Sequence, residues 1–171
     1  MNLASLISDH KIVVCVGTGG VGKTTVAASF AVHGAMAGRR AMVLTIDPAR
    51  RLAQSLGLHE LRGDRQRIDL SELARLGRTV PGSLSAGMLD QKSAWDEFLA
   101  RHAPNEEACR AILRNEFYQQ MSRSFAGSTE YMAIEELCRI DESGEYDLVI
   151  LDTPPTGHAL DFLEAPRRLE D

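Results

Sequence analysis

The chain has 171 residues, 44% of them hydrophobic and 25% charged, which suits one well-buried domain and leaves little room for a second. A net charge of -5 gives no basic footprint for DNA or RNA, so no nucleic-acid partner is expected, and three scattered cysteines make neither a disulfide framework nor a zinc site. Met1–His10 has no cationic start and no apolar run could span a bilayer, so the chain reads as cytoplasmic.

Lys11–Val16 is a short β-branched run that meets glycines at once, and it predicts a fully buried strand. Beyond Gly22 the period turns helical. Val26, Ala27, Phe30, Ala31 and Gly34 fall on one face, and Gly38 can end the helix in a left-handed turn. Arg40–Ile46 predicts a second strand, closed by Asp47-Pro48, because proline has no N–H to give to a ladder. A short helix is expected over Arg51–Leu58. Glu60–Arg78 shows no clean period, and Leu84–Leu89 predicts a third strand ending near Asp90.

From Gln91 to Ile140 the pattern is helical. Trp95, Phe98, Leu99 and His102 share one stripe, and Pro104-Asn105 breaks it. A second helix carries Cys109, Ile112, Leu113, Phe117 and Met121. Gly127-Ser128 then restarts the pattern, with Ser128 as N-cap and Tyr131, Ile134 and Cys138 facing inward. Leu148–Leu151 is an apolar strand that runs into Asp152-Thr153-Pro154-Pro155. Strands alternating with helices predict a mostly parallel sheet in an α/β fold. The block at about 91–140 reads as a helical insertion in a single domain spanning 1–171.

Gly17-Thr18-Gly19-Gly20-Val21-Gly22-Lys23-Thr24 fits G-x-x-x-x-G-K-[ST], the phosphate-binding P-loop, between a strand and a helix as the motif requires. Glycines let backbone N–H groups approach phosphates without Cβ clashes, and the helix N-terminus adds unpaired donors. Gly19, Gly20, Val21, Gly22, Lys23, Thr24 and Thr25 would then hold a nucleoside triphosphate, with Lys23 on the β and γ oxygens and Thr25 near the α-phosphate. Thr24 and Asp152 would hold Mg²⁺, Asp152 because a carboxylate at a strand's carboxyl end is where such a group belongs in an open α/β sheet. Asp47 ends a strand on the same edge. By spacing it could either position the attacking water or simply begin an Asp-Pro turn.

The doubled glycine of this loop resembles the deviant P-loop of the class that includes nitrogenase iron protein and plasmid-partition ATPases. Thr45-Ile46-Asp47-Pro48-Ala49 resembles switch I of the arsenical-pump ATPases. Asp152-Thr153-Pro154-Pro155-Thr156-Gly157-His158-Ala159-Leu160 resembles their switch II, and Ala126–Ala133 is similar to a stretch in bacterial members. The family also includes the ATPase that targets tail-anchored membrane proteins. The resemblance implies a P-loop NTPase three-layer α/β/α sandwich, ATP as the nucleotide, and a homodimer or a heterodimer with a related ATPase. It implies Asp47 as the residue that polarises water, and segments around Asp47 and Asp152–Leu160, His158 among them, that follow the γ-phosphate and signal to a membrane-protein or hydrophobic client.

Three departures from the family pattern stand out. The second loop position, normally a lysine that reaches across the dimer, is Thr18, so turnover would be weak or rely on another cation: Arg50 or Arg51, each of which could instead lie on a solvated face, or a partner's charge. Family members continue well beyond switch II, which implies that the domain is incomplete at Asp171 and that the adenine-reading loop lies further on. No metalloid-binding cysteine set is recognisable.

A Mg²⁺-dependent ATPase switch is therefore the leading expectation, with Lys23 and Asp47 as its catalytic residues. The alternative is a nucleotide-binding module without turnover. A small-molecule kinase fits least, for no acceptor-binding signature appears. Trp95, Phe98, Phe117 and Met121 could line a groove for a client, although amphipathic stripes usually pack their own core.

Overall fold

The computed structural model describes residues 3–46, 49–61, 65–124 and 128–155. In chain order the elements are α1 (Leu3–Asp9), β1 (Ile12–Cys15), α2 (Lys23–Met36), β2 (Arg40–Thr45), α3 (Ala49–Ser55), β3 (Gln66–Arg67), α4 (Ser71–Arg75) and β4 (Ser83–Met88). They continue with α5 (Gln91–His102), α6 (Glu106–Leu113), α7 (Glu116–Ser124), α8 (Ser128–Ser143) and β5 (Leu148–Asp152). The sheet runs β1-β5-β2-β4-β3. Only β3 is antiparallel to its neighbour.

Alternation along the central strands builds the layers, since successive side chains leave a strand on opposite faces. Ala41, Val43, Leu84, Ala86, Leu148 and Ile150 pack with Ile7, Leu52 and the alanines of α2 on one face. Met42, Leu44, Val149 and Leu151 pack with Met132, Ala133, Leu137 and Ile140 of α8 on the other. The result is the three-layer α/β/α sandwich expected of a P-loop NTPase, with helices α5–α8 between β4 and β5 in the chain.

Several local expectations are corrected. The first strand is not fully buried: its residues are half-buried or exposed, because β1 lies at the sheet edge beside β5. On α2, Val26 is 44% exposed, and the inner face is Ala27, Ala28, Ala31, Gly34 and Ala35. Small residues win there because the helix lies close on the sheet: a Cβ on Gly34 would sit 2.4 Å from Leu148 Cδ2. Gly38 does end this helix, at φ +90°. The short helix after β2 begins at Ala49 and ends at Ser55, not over Arg51–Leu58, and the unassigned stretch supplies β3 and α4.

The helix expected through Met121 is two helices. Asn115 Oδ1 accepts from the backbone N–H of Phe117 at 2.9 Å and of Tyr118 at 3.3 Å, so it caps α7 and ends the run of α6. Tyr118 Oη donates to Asp96 Oδ1 at 2.7 Å and fastens α7 to α5. Trp95, Phe98 and Tyr131 meet edge to face, with centroids 5.8 and 5.9 Å apart, while Cys138 is exposed rather than inward. Asp90 and Asn105 cap α5 and α6 through side-chain oxygens.

Candidate phosphate-binding site

The carboxyl ends of three parallel strands are level. Cys15 of β1 pairs with Asp152 of β5, and Asp152 pairs with Thr45 of β2. The chain leaves β1 into the glycine loop exactly one strand from the Asp152 carboxylate, then enters α2. Gly20 and Gly22 have φ of +78° and +88°, in the left-handed region where a side chain would be strained. Gly22 is also the N-cap of α2 and brings no side-chain acceptor, so the first-turn N–H groups of this 14-residue helix face outward without a side-chain cap. Uncapped donors at the positive end of a helix are a fit for phosphate.

Lys23, the first residue of α2, donates from Nζ to the Thr18 carbonyl oxygen at 2.9 Å, so its ammonium lies over the loop. Gly19 lies against Pro155, 3.7 Å from where a Cβ would stand, which closes the loop onto the segment after β5.

Asp152 and Thr45 are buried, at 0% and 1% exposure, and the Thr45 hydroxyl donates to Asp152 Oδ2 at 3.2 Å. Thr153 donates from Oγ1 to the Cys15 carbonyl at 2.8 Å, tying the end of β5 to the end of β1. The Cys15 thiol is pushed up to about 11, first by burial and then by the Asp152 charge, so it remains a neutral thiol at ordinary pH.

A cleft of about 430 Å³ opens over these strand ends. Gly20, Gly22, Lys23, Thr24 and Thr25 form one wall, Arg51, Gln54 and Ser55 of α3 another, and Thr153 and Pro155 the rest. Of the residues singled out by sequence, Gly20, Gly22, Lys23, Thr24, Thr25 and Arg51 therefore share the cleft. Asp152, fully buried at the end of β5, does not line the cleft itself, though the next residue, Thr153, does. Val21 is 62% exposed and does not line it. Asp47 and His158 lie outside the described residues.

The hydroxyl of Thr24 and the carboxylate of Asp152 are hard oxygen donors, the kind Mg²⁺ takes alongside phosphate oxygens and water. Among the described residues, no group of three or more His, Cys, Asp or Glu side chains could hold a metal by itself. Sequence reading missed Gln54 and Ser55. Their signal is the i, i+3, i+4 spacing with Arg51, which puts all three on one face of α3.

Residues 10–171 match the family described as anion-transporting ATPase. The chain is 32% identical over 162 residues to ATPase GET3 of Malassezia globosa, covering 94% of this chain and 44% of that protein. It is 30% identical over 157 residues to ATPase get3 of Aspergillus terreus, covering 90% and 42%. ATPase GET3 of Podospora anserina is 31% identical over 154 residues, with 90% and 42% covered. The chain thus spans less than half the length of these relatives.

Proposed function

The chain belongs to the anion-transporting ATPase family, and we propose that it binds Mg²⁺·ATP in the cleft above β1, β5 and β2 and hydrolyses it to drive a nucleotide-controlled switch. The observation that carries this reading is the loop itself: left-handed glycines, an uncapped helix start and the Lys23 ammonium converge on one cleft. In this reading Lys23 would hold the β and γ oxygens, and Thr24 and Asp152 would hold the ion. The Thr45 hydroxyl keeps the Asp152 carboxylate aimed along the strand end. The ion, when bound, neutralises charge across the β and γ oxygens. Asp47 orients and polarises the attacking water, a role that rests on the sequence resemblance.

Steady-state hydrolysis with Mg²⁺, measured beside Asp47→Asn, tests the reading. The parent should turn over, and the variant should bind ATP with similar affinity and lose at least about 100-fold in kcat, as loss of a positioning group does. An active Asp47→Asn would remove Asp47 from the mechanism. Binding without turnover in the parent would favour the module without catalysis, the reading to which Thr18 points, because a hydroxyl cannot neutralise charge in phosphoryl transfer. We also infer a dimer, with itself or a related ATPase. Specific activity should then rise with protein concentration, and a flat profile would count against it.

A client with an apolar segment is the second part of the proposal. Phe117 is 74% and Ile112 37% exposed, and together with Ala111 they line an apolar hollow of about 410 Å³ at α6 and α7. Such a surface fits the apolar face of a helix. Phe117→Asp should weaken capture of a fluorescent apolar helical peptide by about 10-fold, on the scale of a buried aromatic anchor. Unchanged anisotropy titrations would place the client elsewhere.

A further inference from the structure

We propose that Arg51 is the second phosphate-facing cation of the cleft, contacting the terminal phosphate of a bound nucleoside triphosphate from the wall opposite Lys23. The inference rests on the nucleotide reading above and deepens it.

The rotation of α3 is fixed by its core residues. Leu52 and Ala53 are both 0% exposed and Leu52 packs into the cluster beneath α2. With these two turned inward, Arg51, Gln54 and Ser55 must take the opposite face, and all three line the cleft. Arg50, its neighbour, is exposed and does not line the cleft.

Charge points the same way. The chain carries a net -5, yet among the described residues that line the cleft the charged side chains are Lys23 and Arg51. Two cations that face one cleft are a fit for an anionic ligand. A triphosphate brings more negative charge than one Mg²⁺ and one lysine cancel, and a guanidinium offers a planar fork of donors matched to phosphate oxygens.

The place of α3 in the fold is the reason to assign Arg51 to the terminal phosphate. The helix that carries it starts just after the carboxyl end of β2, and it shares the cleft with Thr153 and Pro155, just past the carboxyl end of β5. Gln54 and Ser55, one turn further on, add neutral donors along the same wall.

Affinity for Mg²⁺·ATP and Mg²⁺·ADP, measured by calorimetry on the parent, Arg51→Ala, Arg51→Lys and Lys23→Ala, tests this. Arg51→Ala should lose about 10-fold or more for ATP and less than about twofold for ADP, the scale of one charge-assisted contact. Arg51→Lys should recover part of the ATP loss. An Arg51→Ala protein that keeps the parent's ratio of ATP to ADP affinity would overturn the inference, whether both affinities are unchanged or both fall. Parent protein that binds neither nucleotide would instead overturn the nucleotide reading, and the inference with it. Lys23→Ala should lose both nucleotides, which separates a loop contact from a contact to the last phosphate alone.

Discussion

Lys23→Ala should lose at least about 100-fold in affinity for Mg²⁺·ATP while keeping its fold, because it removes a charge-assisted contact to two phosphates at once. The fold does not depend on this side chain. Its only hydrogen bond among the described residues is from Nζ to the Thr18 carbonyl, and that contact is exposed. Loss of an exposed contact of this kind changes stability by about 0.5 kcal/mol or less. Binding and stability should therefore separate cleanly: titration of a fluorescent nucleotide fails while the thermal midpoint stays put. Binding within about threefold of the parent would remove the loop from the site. A collapse of the midpoint would show that Lys23 is structural instead.

Gly82→Ala should be the most damaging added methyl among the described glycines. A Cβ at Gly82 would stand 2.3 Å from the Arg39 carbonyl oxygen, 2.6 Å from the Ala35 carbonyl oxygen and 2.8 Å from the Arg39 nitrogen. None of these atoms can swing away as a side chain would. The Ala35 oxygen accepts from Gly82 N at 3.0 Å and Gly38 N at 3.1 Å, and the Arg39 oxygen accepts from Ser83 N at 3.1 Å. The methyl must therefore part β4 from the end of α2 and break bonds that hold both.

Overpacking against backbone costs about 3 kcal/mol, which in a domain of this size lowers the thermal midpoint by roughly 10 °C. Gly144→Ala is the control: its φ is +64° with open space around the added carbon. It should cost only the left-handed penalty of about 1–2 kcal/mol. Equal midpoints for the two variants would mean that the chain relaxes around Gly82 more freely than its hydrogen bonds suggest.

The phosphate loop was legible because every part of it is local. Glycine spacing, Lys23 and Thr24 occupy consecutive positions, and the apolar runs on either side announce a strand and a helix. Asp152 was legible for the same reason, as the last residue of Leu148–Asp152. The edge position of β1 was not, because strand order is set by which faces the helices cover, and a β-branched run looks alike at the centre and at the rim. Nor was the inner face of α2. Val26 is more apolar than Ala28, but the sheet lies too near for it, and alanine takes the buried place. Asn115 can ride inside a helix or cap one, and only the donors of Phe117 and Tyr118 decide between them. The wall formed by α3 needed the burial of Leu52 and Ala53 to be known before Arg51 could be told from Arg50.

The small inner face of α2 also governs stiffness. Where long side chains separate a helix from a sheet, rotamers take up small displacements. Ala27, Ala31, Gly34 and Ala35 provide no such slack, and Leu148 stands directly beneath Gly34. Close-packed interiors of this kind compress very little. The phosphate loop at one end of α2 and the Asp152 carboxylate at the end of β5 are thereby joined like two marks on one gauge. The spacing between the groups that would grip the phosphates and the metal is held by a helix whose own side of the contact carries only short side chains.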